Sequence, residues 1–536
     1  MLYKLSDELL RKIVQKLSAR TKDLISLCRV SRRISGLVMP VLYQPVTFMA
    51  LNEDRIAALD DPKRLAPALE KGHFRHTQHI RVAAPFYDRF CDRCFHRDEW
   101  TSDRDEKALD DQLTAVLESC CDAKLKSFHW DLGICVPWPL MLCLGANHKH
   151  IQSIRLIIDG DCPYQEEEGD WGVCKIDSWL PNLKSLSLSG FTFDSNRQPS
   201  ADHEFTLSYP WQGLFTIVNQ VSHQLEEFDI DLEHAVQNRR CIFYYPMFST
   251  WLEMLQSRPP AYKPRPSNIP VFFPAIGSLS LSFVDLAGND ATIYGRPGIL
   301  DAFDFSAIKQ LKLRCCPGWE LLLQYLTQNL NRPKYEYWDG DEQKMLQQNP
   351  KCTPLKSLEI SYSQYPEAST SSGCGRLEIL REFLKSFKGL ENLFIVAPAL
   401  CVDLGLCCAL THHHQTLRRL VYSCSHKRLP PDDDGCMGDA GDKPEGNGHD
   451  YQEERPRKEI ENKSTDPPPM FIDCLGHPLG HLPRLESLGV CFENPKFTRK
   501  LLQPLTESPS GLKLLHLRRC GPGFRTVTIV TYHTTT

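Results

Sequence analysis

The 536-residue sequence predicts an α/β chain: a small three-helix N-terminal module, then an irregular solenoid with short parallel strands inside and helices outside. Three observations predict it. The first forty residues carry amphipathic helical spacing, a short apolar phrase recurs along the body, and helical patterns lie between its copies. The length allows a large core or a long array, and 41% hydrophobic with 24% charged residues is ordinary for a globular chain.

In the module, Leu9, Leu10, Ile13, Val14 and Leu17 make one stripe of an amphipathic helix. Ser6 is its expected N-cap, and Asp7 and Glu8 then occupy the first turn, where the helix dipole favours negative charge. A second start signal at Thr21 leads to Leu24, Ile25 and Leu27. A third segment runs from Val30 through Ile34, Leu37 and Val38, and Pro40 is expected to stop it. Three short helices bury little surface alone, so the module reads either as an interaction unit or as a cap on the body behind it. Residues 1–40 hold nine Lys/Arg against three carboxylates, a charge of +6 on a chain whose net charge is -5. A basic module on an acidic body fits an acidic protein surface as partner, or simply a solvated helix face.

The specific residues go further. Leu5-Ser-Asp-Glu-Leu-Leu-Arg-Lys-Ile-Val-Gln-Lys-Leu17, then Lys22-Asp-Leu-Ile-Ser-Leu-Cys-Arg-Val-Ser-Arg-Arg33, then Pro40-Val-Leu-Tyr43, resembles the F-box motif in its fungal form over residues 3–48. Ser6 stands where that family has Pro, and Ile34 where it has a late aromatic. The resemblance implies docking to a Skp-type adaptor and, through it, to the cullin and RING subunits of a ubiquitin ligase. It assigns adaptor contacts to Leu5, Leu9, Leu10, Ile13, Val14, Leu24, Leu27, Val30 and Arg32.

The recurring phrase is apolar-x-x-apolar-x-apolar. Clear copies start at Ile151, Leu183, Leu225, Ile276, Ile308, Leu355, Leu390, Leu417, Leu485 and Leu512, with weak ones at Ile80/Val82 and Leu125/Phe128/Trp130. The last two apolar residues are two apart, so both face one core from a short strand while the residue between them faces out. Such units stack to make a continuous core. Successive clear copies are 27 to 68 residues apart; the shortest intervals fall in the range of a leucine-rich repeat and the longer ones imply insertions. The competing reading is an irregular α/β domain whose Leu-rich strands mimic a repeat. Helical patterns at Leu109–Cys120, Trp319–Leu330 and Leu377–Phe387 suit an outer layer. The body resembles the degenerate leucine-rich-repeat halves of fungal F-box proteins.

These readings divide the chain into the module at 1–48, a connecting and capping region at 49–124, the solenoid at 125–428, and terminal repeats at 471–520. Between the last two, residues 429–470 hold twelve Asp/Glu, five Lys/Arg, seven Pro and five Gly, a composition expected for a disordered insertion. Residues 521–536 fit no repeat and read as an irregular tail ending in a frayed strand.

Whole-chain charge gives no argument for nucleic-acid binding, and the longest apolar run, Ile395–Leu410, contains Pro398 and Asp403 and is too short for a membrane span. The N-terminus lacks the pattern of an export signal, so a cytoplasmic or nuclear chain with its 22 cysteines as reduced thiols is expected. Cys91-Asp-Arg-Cys94-Phe-His96 is the most metal-like string, with Cys120 and Cys121 as a poor second half, and it reads as a loop of thiols. His412, His413 and His414 read as a solvated run. No phosphate-binding glycine loop, nucleophile elbow or zinc-protease helix is present, and no cofactor or catalysis by this chain is expected.

The expected role is therefore a receptor subunit holding a protein substrate for a ubiquitin ligase of the SCF type; the alternative is a leucine-rich-repeat scaffold without that role. Substrate contacts are expected on outward strand positions, acidic at Asp229 and Asp231, basic at Lys312 and Arg314, with His516 and Arg518 near the end.

Overall fold

The computed structural model describes residues 5–18, 20–52, 55–59, 62–83, 103–120, 124–133, 136–157, 180–190, 218, 221–232, 273–286, 299–330, 355–361, 373–398, 404–425, 482–492, 512–519 and 526–530. The chain divides into two compact units, Met1–Glu359 and Ile360–Thr536.

The first unit opens with three helices: α1 (Asp7–Lys16), α2 (Thr21–Cys28) and α3 (Arg32–Leu42). Ser6 caps α1, its Oγ accepting from the Leu9 N–H, and Asp7 and Glu8 fill the first turn. Ser31 caps α3 in the same way, accepting from the Ile34 N–H at 3.2 Å. That cap places the helix start at Arg32, two residues later than the apolar spacing predicts, and leaves Val30 in the connection.

Pro40 does not stop α3, which runs on to Leu42. Pro40 gives up the backbone hydrogen bond it would donate to the residue four back, here Gly36, and the helix continues past it for two residues. The Tyr43 N–H still reaches the Met39 carbonyl at 3.0 Å. Val14, Leu24, Ile34 and Val38 form the module's core, and Arg33 ties α3 back to α1 through Asp7 Oδ1 and the Leu5 carbonyl.

After the helices, β1 (Pro45–Asn52) turns into the antiparallel β2 (Arg55–Leu59). β1 also pairs in parallel with β3 (His79–Ala83), reached through α4 (Pro62–Glu70) and a 3-10 turn at His73–His76. Then come β4 (Ser127–Asp131), β5 (Ser153–Ile157), β6 (Ser185–Ser189), β7 (Glu227–Asp231), β8 (Ser278–Ser282) and β9 (Gln310–Arg314), each parallel to its predecessor. The order within this unit is β2-β1-β3-β4-β5-β6-β7-β8-β9. The weak phrases at Ile80 and Leu125 are thus full members of the ladder, which begins well before residue 125 and within the region read as a cap.

Why these strands form is visible in the register. Ile80, Phe128, Ile154, Leu186, Phe228, Leu279 and Leu311 stand side by side and all are buried, as is the second row from Val82 to Leu313. Each such side chain contributes about 1.5–3 kcal/mol of burial. The first residue of each phrase, from Leu125 to Ile308, is buried ahead of its strand. The residue after it extends the pairing: Lys126 N–H to the Gln78 carbonyl, Gln152 to Lys126, Lys184 to Gln152, Glu226 to Lys184. Helices α5 (Asp103–Ser119), α6 (Trp138–Asn147), α7 (Ile299–Ala302) and α8 (Trp319–Leu330) connect the strands and bury residues such as Leu113, Leu140 and Leu322.

The unit division falls inside β10 (Ser357–Ser361). The second unit holds α9 (Gly373–Lys385), β11 (Asn392–Pro398), α10 (Leu404–Thr411), β12 (Arg419–Ser425), β13 (Ser487–Phe492), β14 (Leu514–Arg519) and β15 (Thr526–Val530). β11 to β14 are parallel neighbours in chain order, and β15 pairs antiparallel with β14. Five residues of the tail read as irregular therefore join the sheet, as the β-branched run Thr-Val-Thr-Ile-Val favours. The segment 429–470 lies outside the described residues. Among the described residues, no helix is long and apolar enough to cross a membrane.

Candidate functional site

Two surfaces collect the residues singled out by sequence. On the module, the nine expected adaptor contacts separate by depth. Leu10, Val14 and Leu24 are buried, and Leu27 packs against the same core, so these four hold the module together. Leu9 is 50% exposed, Ile13 38% and Val30 58%; Arg32 is exposed and Leu5 half-buried. The single stripe read on α1 is therefore two: one side faces α2 and α3, while Leu9 and Ile13, one turn apart, face out.

Ile25, beside the buried Leu24, is also 42% exposed. It was legible as an apolar residue of α2 but carries no assignment from the motif. Among the described residues, seven large hydrophobics are exposed, and four of them are Leu9, Ile13, Ile25 and Val30, all within the first thirty positions. Exposed apolar residues scattered singly are ordinary, whereas four within thirty positions are a concentration.

The second surface is the outward row of the first unit's sheet, where Arg81, His129, Arg155, Ser187, Asp229, Ser280 and Lys312 occupy one register on successive strands. Asp231, Ser282 and Arg314 occupy another. Asp229 and Asp231 lie two strands from Lys312 and Arg314, about 10 Å away at ordinary strand spacing. Asp229 accepts from Ser187 Oγ at 2.9 Å, and Arg314 donates to Glu359 at 2.6 Å. The Glu359 hydrogen bond, with Asp229 and Asp231 adding attraction, raises the Arg314 pKa above its ordinary value. The expected acidic and basic positions thus lie on one sheet face, with separate hydrogen-bond partners and an electrostatic pull of the aspartates on Arg314. His516 is half-buried on β14, opposite Gly489 and Thr528, and Arg518 lies on the same strand opposite Cys491 and Thr526.

Sequence reading missed the strongest polar cluster of this face. Buried Asp131 receives Arg81 Nε at 2.6 Å and Arg155 Nε at 3.1 Å. Burial chiefly lowers the pKa of neighbouring His129, against the pull of Asp131. His79 Nδ1 meets Ser127 Oγ at 2.9 Å and His129 Nε2 meets Ser153 Oγ at 3.4 Å. With Asp131 held between two arginines, neither histidine has the carboxylate that would orient it as a base for its serine. The signal was present as the residue after Trp130, but it belongs to one of the two weak phrases.

The remaining candidates separate cleanly. Cys91, Cys94, His96 and Cys121 lie outside the described residues, and Cys120 is fully buried at the C-terminal end of α5. Among the described residues, no group of three or more His, Cys, Asp or Glu could hold a metal ion. Burial pushes the Cys316 thiol up to about 12, so it stays protonated at neutral pH.

His413 is not solvated: it is buried, with Nε2 at 2.9 Å from the Leu384 carbonyl and Nδ1 accepting from the Leu390 N–H at 3.4 Å. It joins the end of α9 to the start of β11, while His412 and His414 are exposed. No protein-family model matches the chain, and no curated protein matches it.

Proposed function

We propose that the chain is the substrate-receptor subunit of an SCF-type ubiquitin ligase, with an F-box module that docks a Skp-type adaptor and a leucine-rich-repeat body that holds a protein substrate. The observation that carries this reading is the exposure of Leu9, Ile13, Ile25 and Val30 on a three-helix unit that has its own core of Val14, Leu24, Ile34 and Val38. An adaptor would cover those residues and gain their burial. The ordered sub-motifs from Leu5 to Tyr43 supply the chemistry of the partner. Substrate would meet the outward sheet row, and the chain would act by proximity, raising the local concentration of substrate near a ubiquitin-carrying subunit.

The test is affinity purification of the full chain beside a Leu9→Asp/Ile13→Asp double variant. Both positions are exposed, so the variant is expected to fold, to lose adaptor and cullin, and to keep its substrate. Recovery of the same proteins by both chains, with no Skp-type adaptor in either, would overturn the reading. Adaptor recovered without cullin would favour the scaffold alternative.

A further inference from the structure

The module meets the start of the sheet at a pocket that shares only Arg32 with the expected adaptor contacts. Gly72, at φ +62°, ends α4 in the left-handed conformation that suits glycine and turns the chain into the 3-10 segment. Phe74 is buried there against Tyr43 at the end of α3, and the Thr77 hydroxyl donates to the Tyr43 carbonyl at 2.8 Å. This anchoring brings residues 71–76 beside α3 and the α2–α3 connection.

The resulting pocket has a volume of about 620 Å³ and is lined by Arg29, Arg32, Lys71, His73, Arg75 and His76, with Gly36 and small polar or sulfur-bearing neighbours completing it. Four permanent cations and two histidines share this space, and no carboxylate lines it. Several other cations of the first unit are neutralised in place: Arg33 with Asp7, Arg81 and Arg155 with Asp131, Lys184 with Glu226, Arg314 with Glu359. Among the described residues, none of Arg29, Arg32, Lys71 and Arg75 is within 4.0 Å of a carboxylate oxygen.

Burial, then the neighbouring Lys71 and Arg75, lowers the pKa of His73. Burial, then Arg75 and His73, lowers that of His76, whose Nε2 accepts from Arg75 Nε at 3.2 Å. The pocket is a concentration of uncompensated positive charge held by a turn that the sequence builds for it.

We propose that this pocket binds a small, multiply charged phosphate anion. Guanidinium groups offer paired N–H donors that match phosphate oxygens, and lysine adds a point charge. Its volume falls within the range of small-molecule sites. Matching four cations around its rim calls for several negative charges on few atoms, which linked phosphate groups provide more densely than carboxylates do. Bound anion would lift the self-repulsion of the pocket and fasten residues 71–76 to the module. The proposal does not depend on the ubiquitin-ligase reading: only Arg32 is shared with the expected adaptor contacts, and the test leaves it untouched.

The probe is inorganic tripolyphosphate, titrated by calorimetry into the full chain at fixed ionic strength, beside citrate and a singly phosphorylated serine peptide. The expected result is saturable tripolyphosphate binding, with citrate and the peptide weaker by about tenfold or more. Lys71→Glu/Arg75→Glu changes two exposed side chains and is expected to abolish it. Gly36→Glu, built where nothing lies within 4 Å of the new Cβ, sets a carboxylate in the pocket and should weaken binding by a similar factor. Absence of binding to the wild-type chain would overturn the proposal, as would binding unchanged in both variants. Citrate or the peptide binding as tightly would overturn the phosphate class or the small-molecule source, respectively.

Discussion

The three N-terminal helices and the strand ladder behind them treat their apolar residues in opposite ways. From β3 to β9, both inward positions of every strand are buried. On α1, Leu10 and Val14 are buried while Leu9 and Ile13, with the same chemistry and the same spacing, face solvent. A strand in a stack has a neighbour on each side and helices beneath it, so its apolar pair always finds cover. Three short helices enclose one small core around Val14, Leu24, Ile34 and Val38, and Leu9, Ile13, Ile25 and Val30 are left exposed outside it. Surplus hydrophobicity in a small unit is therefore informative about partners in a way that abundant hydrophobicity in a large one is not.

The largest expected effect tests the ladder half of this contrast. Trp130 is fully buried and stacks beside Phe128, so Trp130→Ala should cost about 3–5 kcal/mol in urea unfolding of the full chain. A loss below about 1 kcal/mol would mean the rows are not packed as a continuous core.

Next comes the module. Leu10→Ala is expected to cost about 2–5 kcal/mol of module stability. Its near neighbour Ile13→Ala should stay within about 0.5 kcal/mol. Amide exchange of α1 reads both, and equal losses would erase the distinction between the two sides of that helix.

His413 sharpens the contrast by pH. Burial, with His412 adding to it and the Leu384 hydrogen bond opposing it, lowers its pKa from 6.5 to about 4. Below pH 6.5 the unfolded chain takes a proton that the folded chain refuses. Stability present above pH 6.5 is thus lost progressively towards pH 4 and levels off beneath it, by about 3 kcal/mol at most. Urea unfolding at pH 7 and pH 4.5 should show a smaller acid loss in His413→Asn than in the wild type. An identical loss would remove His413 as its source.

The smallest effect belongs to the outward row. Arg314 and Glu359 are partly exposed, so Arg314→Ala should cost no more than about 1 kcal/mol, and less in high salt.

Much of the fold was legible because the phrase is a local device: each copy states its own strand, whatever the length of chain between copies. The weak phrases at Ile80 and Leu125 were harder to read, since an aromatic or a missing first residue replaces leucine where the pattern is sought. α3 departs from the expectation at Pro40, past which the helix continues for two residues, and at Val30, where a cap outranks an apolar period. His413 looked like one of three equivalent histidines until the end of α9 supplied its partner. The exposed apolar positions of the module were half legible: helical spacing identifies apolar residues, but only packing separates Leu9 from Leu10. The basic pocket was not legible at all, since Arg29 and Arg32 meet Lys71 and Arg75 only after some forty intervening residues have folded.

The antiparallel strands β2 and β15 change what the parallel ladders can do in a crowded solution. A row of identical parallel rungs is a template on which another copy could dock its own rung in the same direction and so begin a fibre. In each unit the terminal rung is met by a short strand running the other way, β2 on β1 and β15 on β14. Growth by repetition then meets a reversed, five-residue lip instead of the next blank. The segment that fits no repeat thereby contributes to keeping a repetitive architecture finite.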